Sequence, residues 1–268
     1  MKLKKLTAGL LTASAIMMGS TGAQAINVGG VVWDPNAGID FTATGSLFEI
    51  ATATTGAFID GFGRVNELNG LLAGSFCPGC ELTFQFGGYQ LLDLYAADGS
   101  GAGTLGIDIF TNGGQFQPFA FTGGWLNLYV DGAPNYDIDD ITTATNGNLW
   151  LSLSAVNSAG SNAGTTLSGI LTQAFADGLG GLGSGLFDVV PGGLATANFD
   201  TNAQIGGRDL TFTSQFQPLR TPTADGYTHT GGATVRGDST SIPEPASIAL
   251  LGLGLLGLGF SRRNKKAA

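Results

Sequence analysis

The sequence predicts an all-β body, a β-sandwich of the jelly-roll or immunoglobulin-like kind, between two terminal segments of different composition. Apolar and polar residues alternate in many short runs, which is the pattern of half-buried strands. Pairs such as Gly-Gly, Asn-Gly and Asp-Gly separate these runs and are typical of tight turns. With 45 glycines among 268 residues and 43% hydrophobic residues, the chain suits strands and turns around a sizeable core.

The N-terminal segment, residues 1–25, has the order of parts found in a secretory signal peptide. Three lysines lie in residues 1–5, residues 6–19 are apolar and small, and Ala23 and Ala25 fit the small-x-small cleavage pattern. A buried N-terminal helix is the alternative. We predict cleavage after Ala25, so that the mature chain begins at Ile26 outside the cytoplasm.

The body, residues 26–228, contains the alternating runs that we interpret as strands. These are residues 47–50, 82–86, 105–110, 126–130, 149–153 and 210–212. Turn pairs follow at Gly87-Gly88, Asp98-Gly99, Asn112-Gly113, Asp131-Gly132 and Asn146-Gly147. Residues 165–177 are also compatible with a helix that ends at Gly178. No period of about 20 to 50 residues repeats cleanly, which argues against a solenoid or a propeller.

The charge of the body excludes one class of partner. Residues 26–242 contain four arginines, no lysine and 19 acidic residues, a net charge of 4 − 19 = −15. A nucleic-acid-binding surface needs clustered cations, so no nucleic-acid partner is predicted.

The C-terminal segment has the composition of a membrane anchor. Residues 229–242, rich in Thr and Gly, are interpreted as a stalk, and residues 246–260 carry no charge and would form about 22 Å of helix. Arg262, Arg263, Lys265 and Lys266 follow and would stay in the cytoplasm. This predicts a membrane-spanning helix with the body outside.

Pro243, Glu244 and Pro245 stand directly before this span, and the two prolines favour an extended, accessible backbone. Together with the Leu/Gly-rich span and the basic cluster, residues 243–268 resemble the PEP-CTERM sorting signal, although Asn264 interrupts a cluster that is often purely Arg-rich. The resemblance implies processing by exosortase, a membrane enzyme of exopolysaccharide-producing Gram-negative bacteria. The recognition role carries over to Pro243, Glu244 and Pro245.

The body is similar to flocculation-associated PEP-CTERM proteins in three short stretches. These are residues 62–66 (FGRVN), 80–84 (CELTF) and 187–190 (FDVV). The resemblance implies a non-enzymatic protein, tethered to the inner membrane during processing and then displayed at the cell surface or in the matrix. There it would associate with exopolysaccharide and promote floc or biofilm formation.

Cys77 and Cys80 are the only cysteines, and in an exported chain such a pair favours a disulfide. Pro78 and Gly79 between them suit a turn, so we predict a structural bridge. A thioredoxin-like redox site would need a βαβ context, and a zinc site would need two further ligands.

Asp137, Asp139 and Asp140, near Asp131 and Asn135, place several oxygen ligands in one turn-rich stretch. Calcium prefers such ligands, although the Gly and the final Glu of an EF-hand are missing. A solvated acidic loop is the alternative. Calcium is thus a possible ligand, and no other cofactor is predicted.

Two further patterns are weak. Gly178, Gly180 and Gly183 fit G-x-G-x-x-G, but no βαβ unit surrounds them. His229 is the sole histidine, and the G-x-S-x-G motif of a serine hydrolase is absent from the sequence.

Two alternatives to the display function remain open. A carbohydrate-binding module would use exposed aromatic side chains, with Trp33, Trp125, Tyr129 and Trp150 as candidates. A secreted hydrolase would use a pair of the body's carboxylates, whose separation in space the sequence does not give.

Overall fold

The computed structural model describes residues 25–36, 40–50, 56–94, 117–157, 164–175 and 178–240. The predicted strand 105–110 and the sorting-signal residues Pro243, Glu244, Pro245, Arg262 and Arg263 lie outside these ranges, as does Ala23. Ala25 is exposed and directly precedes the first strand. Within the described ranges, no helix has the length and hydropathy that crossing a membrane requires.

The described residues are almost entirely β-structure, as predicted. The strands are β1 (Ile26–Val28), β2 (Val31–Trp33), β3 (Phe41–Glu49), β4 (Phe58–Leu68), β5 (Leu71–Leu72), β6 (Glu81–Leu94), β7 (Gln117–Asp131), β8 (Asn148–Val156), β9 (Leu167–Phe175), β10 (Gly178–Val190), β11 (Leu210–Pro218) and β12 (His229–Gly237). Two single-turn helices, Ala73–Phe76 and Thr196–Phe199, and a 3₁₀ turn, Ile141–Ala144, lie in the connections.

Eight strands pair in a closed ring, each antiparallel to its neighbours. The order is β11, β12, β3, β4, β6, β7, β8 and β10, and β10 pairs with β11 to complete the ring. β9 lies end to end with β8, because it pairs with the other halves of β7 and β10. The predicted two-layer sandwich is therefore corrected to a closed barrel, since alternation specifies a buried face but not whether a sheet closes.

The alternating runs at residues 82–86, 126–130, 149–153 and 210–212 all lie in strands, and the run at 47–50 lies in β3 up to Glu49. The helix considered for residues 165–177 is wrong, because this stretch contains β9. Gly169 explains the difference: a Cβ there would overlap the Leu182 carbonyl oxygen of β10, so the two backbones lie in close contact. The turn expected at Gly87-Gly88 is also wrong, since both glycines lie within β6.

The predicted stalk at residues 229–242 is corrected as well. Residues 229–237 form β12, which pairs along its whole length with β3 on one side and β11 on the other. Few large side chains are needed there because the strand is held by its backbone. A Cβ at Gly231 would overlap the carbonyl oxygen of Gln215 on β11, so the Gly-rich composition serves close strand packing.

The interior is filled by aromatic rings that lie over glycines. A Cβ at Gly61 or Gly63 of β4 would collide with Phe86 or Phe84 of β6, respectively. These glycines therefore leave the volume that the two rings occupy. A residual cavity of about 20 Å³ has a largely apolar lining that includes Phe84, which is room for about one water molecule.

A second, smaller core lies on the outer face of β3 and β4. Phe62 is fully buried there and contacts Tyr227 and Tyr136, with ring centroids 4.8 and 6.0 Å away. The loop 132–147 and the loop 219–228 supply these two rings, so both loops are fixed on the sheet.

Candidate functional site

Residues 238–240 leave the end of β12 and lead directly to residue 241, where the description stops. We call this end of the ring, where β12 finishes beside the starts of β3 and β11, the exit end. Ser239 is buried there, and its backbone N donates to both carboxylate oxygens of Asp40 at 2.8 Å. Its hydroxyl donates to Asp40 at 3.0 Å and accepts from Trp33 Nε1 at 2.8 Å.

Asn198 holds the next residue. Its carbonyl oxygen accepts from the backbone N of Thr240 at 2.8 Å, and its Nδ2 donates to the Thr240 carbonyl at 3.0 Å. Asp238 accepts from Gln204 Nε2 at 3.3 Å. We call the set Trp33, Asp40, Asn198, Ser239 and Thr240 the exit clamp. It fixes the chain in place up to the residue that precedes position 241.

Asp40 is 3% exposed and has no cation among its hydrogen-bond partners. Burial raises the pKa of its carboxyl, and the hydrogen bonds from Ser239 lower it by less, so the pKa lies above its usual value. Nearby Asp238 adds to the rise. The carboxyl accepts hydrogen bonds from the backbone N and the hydroxyl of Ser239, so the clamp positions this part of the chain.

Ile26, where we predict the mature chain to begin, lies at the same end. Trp150 Nε1 donates to the carbonyl oxygen of Val28 in β1 at 2.9 Å. Trp33 of β2 stacks on Phe199 at 5.4 Å and contacts the edge of Trp150 at 5.7 Å. The hairpin of β1 and β2 therefore covers the exit end. The predicted cleavage site after Ala25 lies next to the clamp, because Ile26 pairs with the clamp residue Trp33.

The carboxylates of the acidic stretch predicted to bind calcium accept hydrogen bonds from backbone N–H groups. Asp137 accepts from the N of Asp139 at 3.0 Å, and Asp140 accepts from Thr142 N at 3.0 Å as the cap of the 3₁₀ turn. Asp139 accepts from Ala224 N at 2.9 Å, while Asp225 accepts from Ile141 N at 2.7 Å. These last two bonds join the loop 132–147 to the loop 219–228, because each loop supplies one carboxylate and one backbone N–H to the other.

No group of three or more Asp, Glu, His or Cys side chains gathers as a metal site within the described ranges. The three aspartates predicted as calcium ligands thus point to separate backbone partners. The buried carboxylate of Glu81 has a similar partner: it accepts from the N of Asn135 at 2.7 Å. Because the body has four arginines for its 19 acidic residues, these carboxylates accept hydrogen bonds largely from backbone N–H groups.

Cys77 and Cys80 form the predicted disulfide. It closes the turn between the helix Ala73–Phe76 and β6, and Cys77 is buried while Cys80 packs near Gly30 of the β1–β2 turn. The bridge therefore belongs to the structure of the exit end, and no thioredoxin-like βαβ unit surrounds it.

The four aromatic candidates separate into two pairs. Trp33 and Trp150 are 2% and 0% exposed, so these two candidates belong to the core and are not accessible to a glycan. Trp125 and Tyr129 lie half-buried on the outer face of β7. Asn127 lies between them on the same face and accepts from Ser152 Oγ at 2.7 Å.

The remaining motifs have structural explanations. Gly178, Gly180 and Gly183 belong to β10, an antiparallel strand rather than a phosphate-binding loop. His229 is buried in β12, where its Nδ1 lies 2.9 Å from Thr228 Oγ1 and its ring contacts Phe216 at 6.1 Å.

Sequence reasoning missed the exit clamp. Asp40 and Ser239 are 199 positions apart, and no motif surrounds either residue. The available signal was indirect: an isolated Asp directly before a strand, in a body with few cations, needs a buried hydrogen-bond donor.

Residues 241–263 match the family model described as the PEP-CTERM protein-sorting motif. The match begins one residue after the clamp and contains Pro243, Glu244, Pro245, Arg262 and Arg263. It supports an exported protein that is tethered to a membrane while an exosortase processes it. No curated protein and no solved structure matches the chain, so the resemblance of the body to flocculation-associated proteins stays a prediction.

Proposed function

We propose that this chain is a non-enzymatic display protein, released by an exosortase near Pro243, Glu244 and Pro245 into the surface layer or matrix of a Gram-negative bacterium. There it associates with exopolysaccharide and promotes floc or biofilm formation. One observation carries the proposal: the sorting motif at 241–263 follows directly after Thr240, which the exit clamp holds on the folded body.

The structure of the body is compatible with display rather than turnover. The cavity of about 20 Å³ beside Phe84 is too small for a sugar. The acids Asp40, Glu81, Asp139 and Asp225 are used to hold backbone N–H groups, so each has a structural role. A closed fold with a disulfide bridge suits a matrix component.

The test is complementation in a host that contains an exosortase. A strain lacking this chain should form fewer flocs, and the full-length gene should restore settling and biofilm mass only when the exosortase is present. Restoration without the exosortase would contradict the processing part. Normal flocs in the deletion strain would contradict the floc role, while fractionation would still report on processing.

A second candidate, carbohydrate binding, is favoured by the outer face of β7. Trp125 lies opposite Gly87 of β6, and a Cβ at Gly87 would be 3.1 Å from the indole ring, so the ring lies across that strand. Tyr129 is four residues further on the same face, about 13 Å along the strand. With Asn127 and Ser152 between them, the two rings form an aromatic platform with hydrogen-bonding groups in its centre.

The charge of the body specifies the polymer class for this platform. A net charge of −15 over residues 26–242 repels anionic polymers, so the proposed ligand is a neutral polysaccharide. Trp125→Ala with Tyr129→Ala should abolish retention on neutral polysaccharide gels. Phe58→Ala removes a more exposed ring of another strand, 59% exposed, and should leave retention unchanged. Equal retention of both variants would reject the platform, and release of reducing sugar would favour the hydrolase alternative.

A further inference from the structure

We propose that the exit end of the closed sheet rests on the lipid surface while the chain is tethered, with Leu71, Leu72, Leu194 and Ile205 in the membrane interface. The proposal rests on the proposed function in one respect, the membrane span at residues 246–260. It adds an interaction surface of the body itself, with a lipid bilayer as the partner.

The four side chains are among the most exposed large apolar residues described. Their exposed fractions are 74% for Ile205, 70% for Leu72, 53% for Leu194 and 49% for Leu71. Phe58, at 59%, has a comparable exposure. We leave it out of this set because it lies close in sequence to residues 51–55, which are outside the described ranges. Several large apolar side chains exposed at one end of a fold indicate an interaction surface.

Hydrogen bonds place three of these side chains around the clamp. Asn69, which precedes the β5 hairpin with Leu71 and Leu72, donates from Nδ2 to the carbonyl oxygen of Asp40 at 2.6 Å. Gln204, directly before Ile205, donates to Asp238 at 3.3 Å. The apolar side chains therefore stand on both sides of the point where the chain leaves the body.

Leu194 belongs to the same end through the N-terminal hairpin. Its Cδ1 lies 3.1 Å from the position that a Cβ on Gly29 would take, in the β1–β2 turn. Its backbone N donates to the carbonyl oxygen of Leu149 at the start of β8 at 3.1 Å. The hairpin, the clamp and the exposed apolar residues thus share one end of the ring.

The length of the tether requires this end to be near the membrane. Six residue steps separate Thr240, held by the clamp, from Ala246 at the start of the predicted span. Fully extended, they reach about 20 Å at most. The headgroup layer alone takes about 5 to 8 Å of that length. The predicted signal peptide, before cleavage, would also join the body at Ile26 on this end.

Charge does not explain the attraction, so the contact must be apolar. Asp34, Asp200 and Asp238 lie in segments at the exit end, together with the exposed Arg236 of β12 and with Arg208, whose guanidinium is paired with Asp188 at 2.7 Å. An excess of acids is repelled by anionic lipids. Binding through leucine and isoleucine side chains should therefore persist on zwitterionic vesicles and at high salt.

The experiment uses the mature full-length chain reconstituted into phosphatidylcholine vesicles. The two native cysteines are bridged, so Leu72→Cys and Ile205→Cys each provide one site for an environment-sensitive dye. Thr213→Cys on the exposed side of β11 is the matched control. The dye should be quenched by lipid-attached quenchers at positions 72 and 205 and remain water-like at position 213.

Protease protection of the tail measures insertion of the span separately. If the tail does not insert, the tether of the proposed function is wrong. If it inserts and all three dyes remain water-like, the membrane contact alone is overturned. Dyes that are shielded without vesicles, in a protein that elutes as a dimer, would overturn it in favour of a second copy on this surface.

A functional readout follows from replacing the four side chains by Ser. Because all four are exposed, the fold should persist, and exosortase processing should slow several-fold. Ile138→Ser with Leu182→Ser, exposed by 45% and 46% on other surfaces, is the control and should process at the normal rate. Equal rates for both variants would overturn a role of this surface in processing.

Discussion

Asp40 and Ser239 are 199 positions apart, and the carboxylate of Asp40 accepts three hydrogen bonds from Ser239 in a buried site. Removing the acceptor leaves the backbone N–H of Ser239 buried without its partner. Asp40→Ala should therefore lower the free energy of unfolding by about 2 to 4 kcal/mol, measured by urea denaturation.

The control for this variant is Asp34→Ala, an exposed acid whose carboxylate accepts hydrogen bonds, among the described residues, from Asn36 in its own turn. It should change the free energy of unfolding by no more than about 0.5 kcal/mol. Asp40→Asn, which keeps one acceptor oxygen, should fall between the two. Equal stability of Asp40→Ala and Asp34→Ala would show that the clamp does not stabilise the fold.

The buried carboxyl of Glu49 should make the free energy of unfolding depend on pH. This residue is 7% exposed, lies opposite His229 on β12, and burial raises the pKa of its carboxyl to about 7. The folded chain then holds this proton more tightly than the unfolded chain, whose value is 4.5. The contribution of Glu49 to stability is therefore present below pH 4.5 and is lost as the pH rises to about 7, at a slope of up to about 1.4 kcal/mol per pH unit.

Urea denaturation at pH 5 and pH 8 checks the sign. Glu49→Gln should flatten the loss of stability between these values, whereas Glu67→Gln, at an exposed site of β4, should keep it. The raised pKa of Asp40 acts in the same direction, so the comparison is made between variants. A wild-type protein more stable at pH 8 than at pH 5 would contradict the prediction.

A single methyl group added at Gly63 should lower the stability of the fold considerably. A Cβ there would overlap the Ser46 carbonyl oxygen and the Phe84 ring. Gly63→Ala should lower the free energy of unfolding by about 1 to 3 kcal/mol. Gly74→Ala, where nothing lies within 4 Å of the added Cβ, should be neutral or slightly stabilising, and thermal unfolding of both variants distinguishes them.

The disulfide between Cys77 and Cys80 closes a loop of four residues, so its contribution through the unfolded chain should be modest, about 2 kcal/mol. Replacing both cysteines by Ala should lower the melting temperature without abolishing surface display. Reduction of the wild-type protein should reproduce that loss. Free thiols in the exported protein, measured by alkylation, would show that the bridge does not form in the cell.

The sorting motif and the basic tail should fail in different ways when altered. Changing Pro243, Glu244 and Pro245 to Ala leaves residues 246–260 intact, so the chain should insert but remain uncleaved and cell-bound. Fractionation should then recover full-length protein in the membrane. Wild-type size and amount in the matrix would contradict a processing role for these residues.

The matched variant neutralises Arg262, Arg263, Lys265 and Lys266, which keeps the three processing residues but removes the charges that hold the tail inside. This protein should insert poorly and appear outside the cell unprocessed. The pair therefore separates recognition from topology.

Sequence patterns gave the strands but not their closure. The run at 126–130 has the same alternation whether β7 belongs to a sandwich or to a ring, because closure depends on the pairing of β10 with β11. The Thr/Gly composition of 229–237 suggested a linker, although the glycines serve close contact between strands. Composition describes a segment by itself, whereas β12 is defined by its two neighbours.

The candidate site was predicted only in its terminal part. The sorting motif is a local pattern: the sequence predicted it at residues 243–268, and the family match covers residues 241–263. The aspartates at 137, 139 and 140 have the right chemistry for calcium, which stays a prediction, and one oxygen of each accepts a backbone N–H that no spacing rule indicates. Bonds such as Trp33 to Ser239 join distant positions and depend on the completed fold.

The position of β12 between β3 and β11 sets an order of events during secretion. Glu49 and His229 are register partners 180 positions apart. One edge of β3 therefore stays unpaired until β12, among the last parts of the body to be translocated, has crossed the membrane. Contacts of such long range form slowly, and an unpaired edge invites aggregation until they do. The ring closes only after residues 229–237 have emerged from the translocation machinery. Completion of folding therefore coincides with arrival of the sorting segment in the bilayer, so a released molecule is one that has already had the opportunity to fold.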